Sequence, residues 1–144
     1  MNEELKSEIK SLIEESKITY VSSVDANGFP NTKAMLTVLH DGIQTHYFST
    51  NTSSKRVKQF HDNPKACIYF SDNEKFMGLM LIGTMEVCRD RKHREMLWFD
   101  GAEMYYPKGI DDEDYCVLKF QAETGNYYHG LKNHTFTIDE YNRI

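Results

Sequence analysis

Long apolar runs are missing from this 144-residue chain. None approaches the roughly 18 consecutive apolar residues that suggest a membrane-crossing helix, so no membrane span is expected. The first residues, Met1-Asn2-Glu3-Glu4, are acidic and lack the apolar stretch of a secretory signal. Cysteine is scarce: Cys67, Cys88 and Cys116 are odd in number and share no close spacing. That argues against a disulfide framework or a zinc cluster and suits three buried thiols in a reducing cytoplasm. Net positive charge is also lacking, since 17 Lys and Arg face 22 Asp and Glu for a balance of −5. Broad nucleic-acid or anionic-membrane binding calls for a basic surface, so neither partner is expected, although a locally basic pocket stays open. Repeats, linkers and low-complexity tracts are absent.

What is present fits one domain with a sizeable core. Nine Tyr and eight Phe suit strands and flat ligand faces. Leu5, Ile9, Leu12 and Ile13 fall at helical spacing and predict an amphipathic first helix. Ile18 to Val24 reads as a strand, and Asp25-Ala26-Asn27-Gly28 as the turn of a tight hairpin. Thr32 to Leu39 and Ile43 to Ser49 repeat the pattern around His40-Asp41-Gly42, which predicts an antiparallel meander. A short helix capped by Thr52 or Ser53 is expected through about His61, closed by Asn63-Pro64. Further strands are expected at Ala66 to Ser71, Gly78 to Cys88, Tyr115 to Ala122, Asn126 to His129 and Thr135 to Ile138. A charged helix is expected from Asp90 to about Met104. Many short strands with isolated helices predict a mainly β fold, a compact antiparallel barrel with peripheral helices.

The stretch richest in chemistry runs from Tyr47 to Lys58. A strand leads into hydroxyl residues that open a helix whose first turn carries Lys55 and Arg56. Unpaired amides and the macrodipole already make that end of a helix partly positive, so cations there cost stability unless an anion sits against them. A phosphate would satisfy free N–H groups, accept hydroxyl hydrogen bonds and neutralise both side chains. A solvated basic helix face with a Ser/Thr cap explains the same residues, and the segment alone leaves the two about level. Lys33, on a strand of the meander, could project beside Ser49 and Thr50.

Phe48-Ser49-Thr50-Asn51, followed by Ser54-Lys55-Arg56 and Asn63-Pro64, resembles the FMN-binding block of the pyridoxamine 5′-phosphate oxidase-like split barrels. Gly28-Phe29-Pro30 before Lys33, and Tyr106-Pro107-Lys108-Gly109 before Ile110-Asp111-Asp112, are most similar to the general stress protein 26-like branch. Together with the strand Tyr115 to Phe120, the similarity spans about residues 5 to 130. The resemblance implies a six-stranded antiparallel FMN-binding split barrel and a homodimer with flavin at the subunit interface. It implies that Ser54, Lys55 and Arg56 hold the FMN phosphate, with Lys33 in a role usually filled by arginine. Ser49 and Thr50 would lie along the ribityl chain and flavin edge, and Met35 near the ring.

Departures narrow the activity. Pyridoxamine phosphate oxidases proper have a substrate-phosphate lysine where this chain has Val38, and a flavin-facing glutamine where it has Gly78. Their substrate-binding carboxy-terminal segment has no counterpart before Ile144. Vitamin B6 oxidation is therefore not expected. The six histidines form no HExxH or i, i+4 pair, so neither metal ligands nor a protein nucleophile are expected. The resulting expectation is an FMN-dependent oxidoreductase on an unidentified small molecule. A non-catalytic protein sequestering flavin, haem or a deazaflavin is the alternative, and an OB-like nucleic-acid binder is the weakest reading.

Overall fold

The computed structural model describes residues 1–143. Helix α1 (Glu3–Glu15) opens on an Asn2 cap, whose Oδ1 accepts from the Leu5 amide at 2.8 Å. It buries Ile9, Leu12 and Ile13, the stripe its spacing predicts. Strands β1 (Ile18–Val24) and β2 (Pro30–Leu36) form a hairpin. In its turn Asp25 Oδ1 accepts from the Asn27 and Phe29 amides, and Gly28 takes the positive φ of 83° that a side chain would resist.

Beyond β2 the chain re-pairs as β3 (Leu39–Asp41) with β4 (Thr45–Asn51). The expected Thr32 to Leu39 strand thus breaks at residues 37–38. Helix α2 (Lys55–Asp62) follows, capped at Ser54 in place of the expected Thr52 or Ser53. Then come β5 (Lys65–Asp72) and the long β6 (Met77–Cys88). Helix α3 (Arg91–Leu97) is shorter than the charge pattern suggests. Trp98 leaves the helix in extended geometry, and Gly101 at φ 91° starts a separate 3-10 turn. Strand β7 (Tyr115–His129) fuses two expected strands into one. Strand β8 (Lys132–Thr137) and helix α4 (Ile138–Asn142) close the chain. None of the helices described is long and apolar enough to cross a membrane.

All eight strands join one antiparallel sheet in the order β2-β1-β5-β6-β7-β4-β3, with β8 added on β7. The sheet curls into the expected mainly β split-barrel fold, with eight strands where six were expected. Strand β7 pairs with β6 along one edge, while β4 and β8 share the other. At the β6 bulge Gly83 passes so close to β7 that a Cβ would sit 1.9 Å from the Gln121 carbonyl oxygen.

The concave side holds the main core, with Phe48, Phe70, Leu79, Leu81, Leu118 and Phe120 under α1. A second cluster of Cys88, Leu97, Tyr106, Tyr115 and Val117 lies under α3. Cys88 and Cys116 are buried and Cys67 is half-buried, all three as free thiols. His46 is 2% exposed between Phe70 and Phe120, and its Nε2 donates to the Ile43 carbonyl at 2.8 Å.

Burial pulls the His46 pKa from 6.5 to about 4, so the fold keeps this ring neutral. The stability it contributes is full above pH 6.5 and is lost as pH falls toward 4, because the unfolded chain takes up the proton first. Urea unfolding across that window should show a loss of about 3 kcal/mol, and His46→Gln should flatten this part of the profile.

Candidate functional site

A cleft of about 320 Å³ opens between the β1–β2 hairpin and the start of α2. Its hairpin wall follows from strand alternation. The register sets Thr19 opposite Met35, Val21 opposite Lys33 and Ser23 opposite Asn31. Thr19, Val21 and Ser23 are buried, so Asn31, Lys33 and Met35 share the inward-facing side. Asn31 and Lys33 line the cleft, whereas Met35 packs into the main core.

The opposite wall is α2, which presents Ser54, Lys55, Arg56 and Gln59 to the cleft. Val57 and Phe60 bury the other side of the helix. Ser54 occupies the N-cap position, yet its side chain makes no cap hydrogen bond, and its buried Oγ has no partner. The Arg56 guanidinium donates from Nη2 to Thr50 Oγ1 at 3.0 Å, while its buried Nε is unpartnered. Burial lowers the Arg56 pKa from its ordinary value, the expected direction for a cation withdrawn from water. The first turn of α2 carries no acidic residue.

An acid beside the entry to α2 is committed elsewhere. Asp114 accepts from the Ser53 amide at 2.9 Å and from Asn51 Nδ2 at 2.8 Å. These bonds, the Ser53 amide foremost, hold its carboxyl below the usual range and brace the loop that enters α2. Among the described residues no carboxylate forms an ion pair with Lys33, Lys55 or Arg56. Three cations with unpartnered donors beside a helix start form a donor set whose chemistry suits an anion of several acceptor oxygens.

The fold therefore gathers Lys33, Ser54, Lys55 and Arg56 in one cleft and ties Thr50 to them through Arg56. Ser49 is set apart. Along β4 the side chains alternate, and Ser49 shares its half-buried face with Tyr47, away from Phe48 and Thr50. Ser23, Asn31 and Gln59 complete the lining, and Ser23 Oγ hydrogen-bonds Gln59 Oε1. Sequence reasoning missed these three. Asn31 was accessible from its two-residue spacing to Lys33, and Gln59 from its helical spacing to Lys55 and Arg56. Ser23 needed the hairpin register.

The pyridoxamine 5′-phosphate oxidase family model matches residues 5–129. A Clostridium acetobutylicum protein related to general stress protein 26, of the pyridoxinephosphate oxidase family, is 52% identical over 98% of this chain and 99% of its own, with a TM-score of 0.89. General stress protein 26 of Bacillus anthracis superposes with a TM-score of 0.73 at 18% identity, covering 90% of this chain and 97% of its own. A heme binding protein of Mycobacterium smegmatis shares the fold with a TM-score of 0.78 at 15% identity, over 98% of this chain and 61% of its own. No curated protein matches the chain significantly. With the cationic cleft on the split-barrel scaffold and the family match running through both of its walls, the chain belongs to the pyridoxamine 5′-phosphate oxidase family, in its general stress protein 26-like branch.

Proposed function

We propose that this chain is an FMN-binding flavoprotein that grips the cofactor phosphate in the cationic cleft and acts as an oxidoreductase on a small organic molecule. The observation that carries the reading is the pair of buried, unpartnered groups at the start of α2, Ser54 Oγ and Arg56 Nε, beside Lys33 and Lys55. A phosphate monoester fits that donor set in charge and in hydrogen bonding. Membership of the family supports FMN as the phosphate bearer. Flavin supplies the hydride or electron transfer when bound, so the protein needs no nucleophile of its own.

The chain's own residues do the positioning. Thr50 steadies the Arg56 guanidinium, Asp114 fixes the loop before the helix, and the Ser23–Gln59 pair closes the floor of the cleft. Lys33 contributes a point charge without the two-pronged geometry of arginine. Val38 lies in the break between β2 and β3, 47% exposed and outside the cleft lining. With no lysine at that position, the substrate is a molecule other than pyridoxamine phosphate. A cytoplasmic setting suits the three free thiols.

A haem or deazaflavin reservoir competes, prompted by the heme binding protein among the structural neighbours. Among the described residues no histidine lines the cleft, which favours a phosphate-anchored flavin over a haem that needs an axial ligand. The proposal includes a homodimer. The outer face of the sheet exposes Ile18, Tyr20, Leu36 and Ile82. The register Ile18↔Leu36, Ser22↔Cys67 and Cys67↔Ile82 puts them on one side, an apolar patch suited to a second copy.

Reconstitution with FMN should give a flavin spectrum at one equivalent per chain, and a haem spectrum with no flavin uptake would overturn the reading. Lys55→Ala with Arg56→Ala should weaken FMN binding by about 100-fold or more with an unchanged circular dichroism spectrum. Ser54→Ala is sharper. A working N-cap costs about 1 kcal/mol to remove, but this hydroxyl caps nothing, so FMN affinity should fall while the melting temperature holds. Leu36→Lys should shift the protein from dimer to monomer in size-exclusion chromatography with light scattering.

A further inference from the structure

On the other face of the sheet from the cationic cleft, three different metal-binding side chains meet at the junction of β6 and α3. Strand β6 ends on Cys88, Asp90 caps α3, and His93 is the third residue of the helix, where its side chain swings back over the cap. The Cys88 sulfur, an Asp90 carboxylate oxygen and a His93 ring nitrogen all lie within 4.8 Å of one another. His93 Nδ1 stands 2.7 Å from Asp90 Oδ1, and the Tyr47 ring packs against the imidazole at 6.2 Å between centroids.

A second observation concerns the thiol itself. Cys88 is 5% exposed, and its one polar contact is a 4.0 Å approach to the Glu86 carbonyl, at the outer limit for sulfur. Among the described residues this buried thiol, within 4.8 Å of a carboxylate oxygen and an imidazole nitrogen, has no strong hydrogen-bond partner. The opposite side is open, since the Asp90 side chain is 55% exposed.

We propose that Cys88, Asp90 and His93 form a binding site for one divalent cation of the zinc class, with its fourth position facing solvent. Mixed sulfur, nitrogen and oxygen donors match the borderline-soft character of zinc, and three protein ligands leave one place for water. Thiolate and carboxylate together neutralise the dication. Binding forms the sulfur–metal bond and releases the Cys88 thiol proton to solvent, with no change of oxidation state. The neighbouring Arg91 does not oppose the cation with an unpaired charge, because Glu95 and Asp111 pair with it at 2.9 Å each. Burial, then Glu86 and Asp90, push the Cys88 thiol up to about 12 against the smaller pull of Lys119, so the thiol is neutral until a metal displaces its proton. Searching for histidine pairs overlooks such a site, because its ligands are three residue types within six positions.

Cobalt titrated into tag-free, full-length protein tests this directly, with zinc competition as the second arm. One equivalent of cobalt should produce a near-ultraviolet thiolate-to-cobalt charge-transfer band and visible bands of tetrahedral cobalt, both displaced by zinc. The charge-transfer band should be lost in Cys88→Ser and in His93→Gln and retained in Cys67→Ser. Circular dichroism confirms that each variant is folded, and the partly exposed His93 keeps the test decisive if Cys88→Ser fails to fold. Absence of the charge-transfer band in the parent protein, or its persistence in His93→Gln, overturns the proposal.

Discussion

The hydrogen-bonding capacity of β7 organises the molecule. Fifteen residues long, it offers one whole edge to β6 and divides the other between β4 and β8. Because buried amides and carbonyls need partners, the length of β7 is satisfied by β6 on one edge and by β4 and β8 in turn on the other. The sheet curls around these pairings, and Gly83 lets the backbones approach at the β6 bulge. The pairing with β4 delivers the chain to α2 at Asn51, beside the Asp114 that braces the loop. The cationic cleft thus inherits its position from β7.

The cleft itself is a local conflict within a consistent scaffold. A helix start without acidic residues, a cap serine that caps nothing and a half-buried guanidinium with one open nitrogen each cost stability separately. They are gathered in one place and face one another. A phosphate bound there would remove all three costs together, and ligand binding would then stabilise the start of α2. The opposite face works differently: a neutral buried thiol, a cap carboxylate and an imidazole are tolerable without a ligand and are organised by α3 packing on the second core cluster.

Much of the fold was legible. The stripe of Ile9, Leu12 and Ile13, the Asn27-Gly28 hairpin turn and the alternation in β1, β5 and β6 are local patterns with one physical reading each. The failures have local causes too. The break after Leu36 and the fusion of β7 across Glu123 to Gly125 depend on which strands lie alongside, and a propensity pattern does not carry that. The expected long third helix ends at Leu97 because the backbone turns extended at Trp98, whose ring packs on Tyr106 and Tyr115, and Gly101 adopts a left-handed backbone.

The sequence alone determined the cationic charge at Ser54-Lys55-Arg56, the family resemblance and the absence of a pyridoxamine-phosphate lysine at Val38. These are properties of neighbouring residues or of residue order. Only the tertiary structure decided that Lys33 joins that cluster, that Met35 on the same side of the hairpin packs into the core, that Ser49 faces the other side of β4 from Thr50, and that Ser23, Asn31 and Gln59 complete the cleft. The reason is geometric: strand alternation and inter-strand register set the face of each side chain, and register is fixed by pairings made across the sheet.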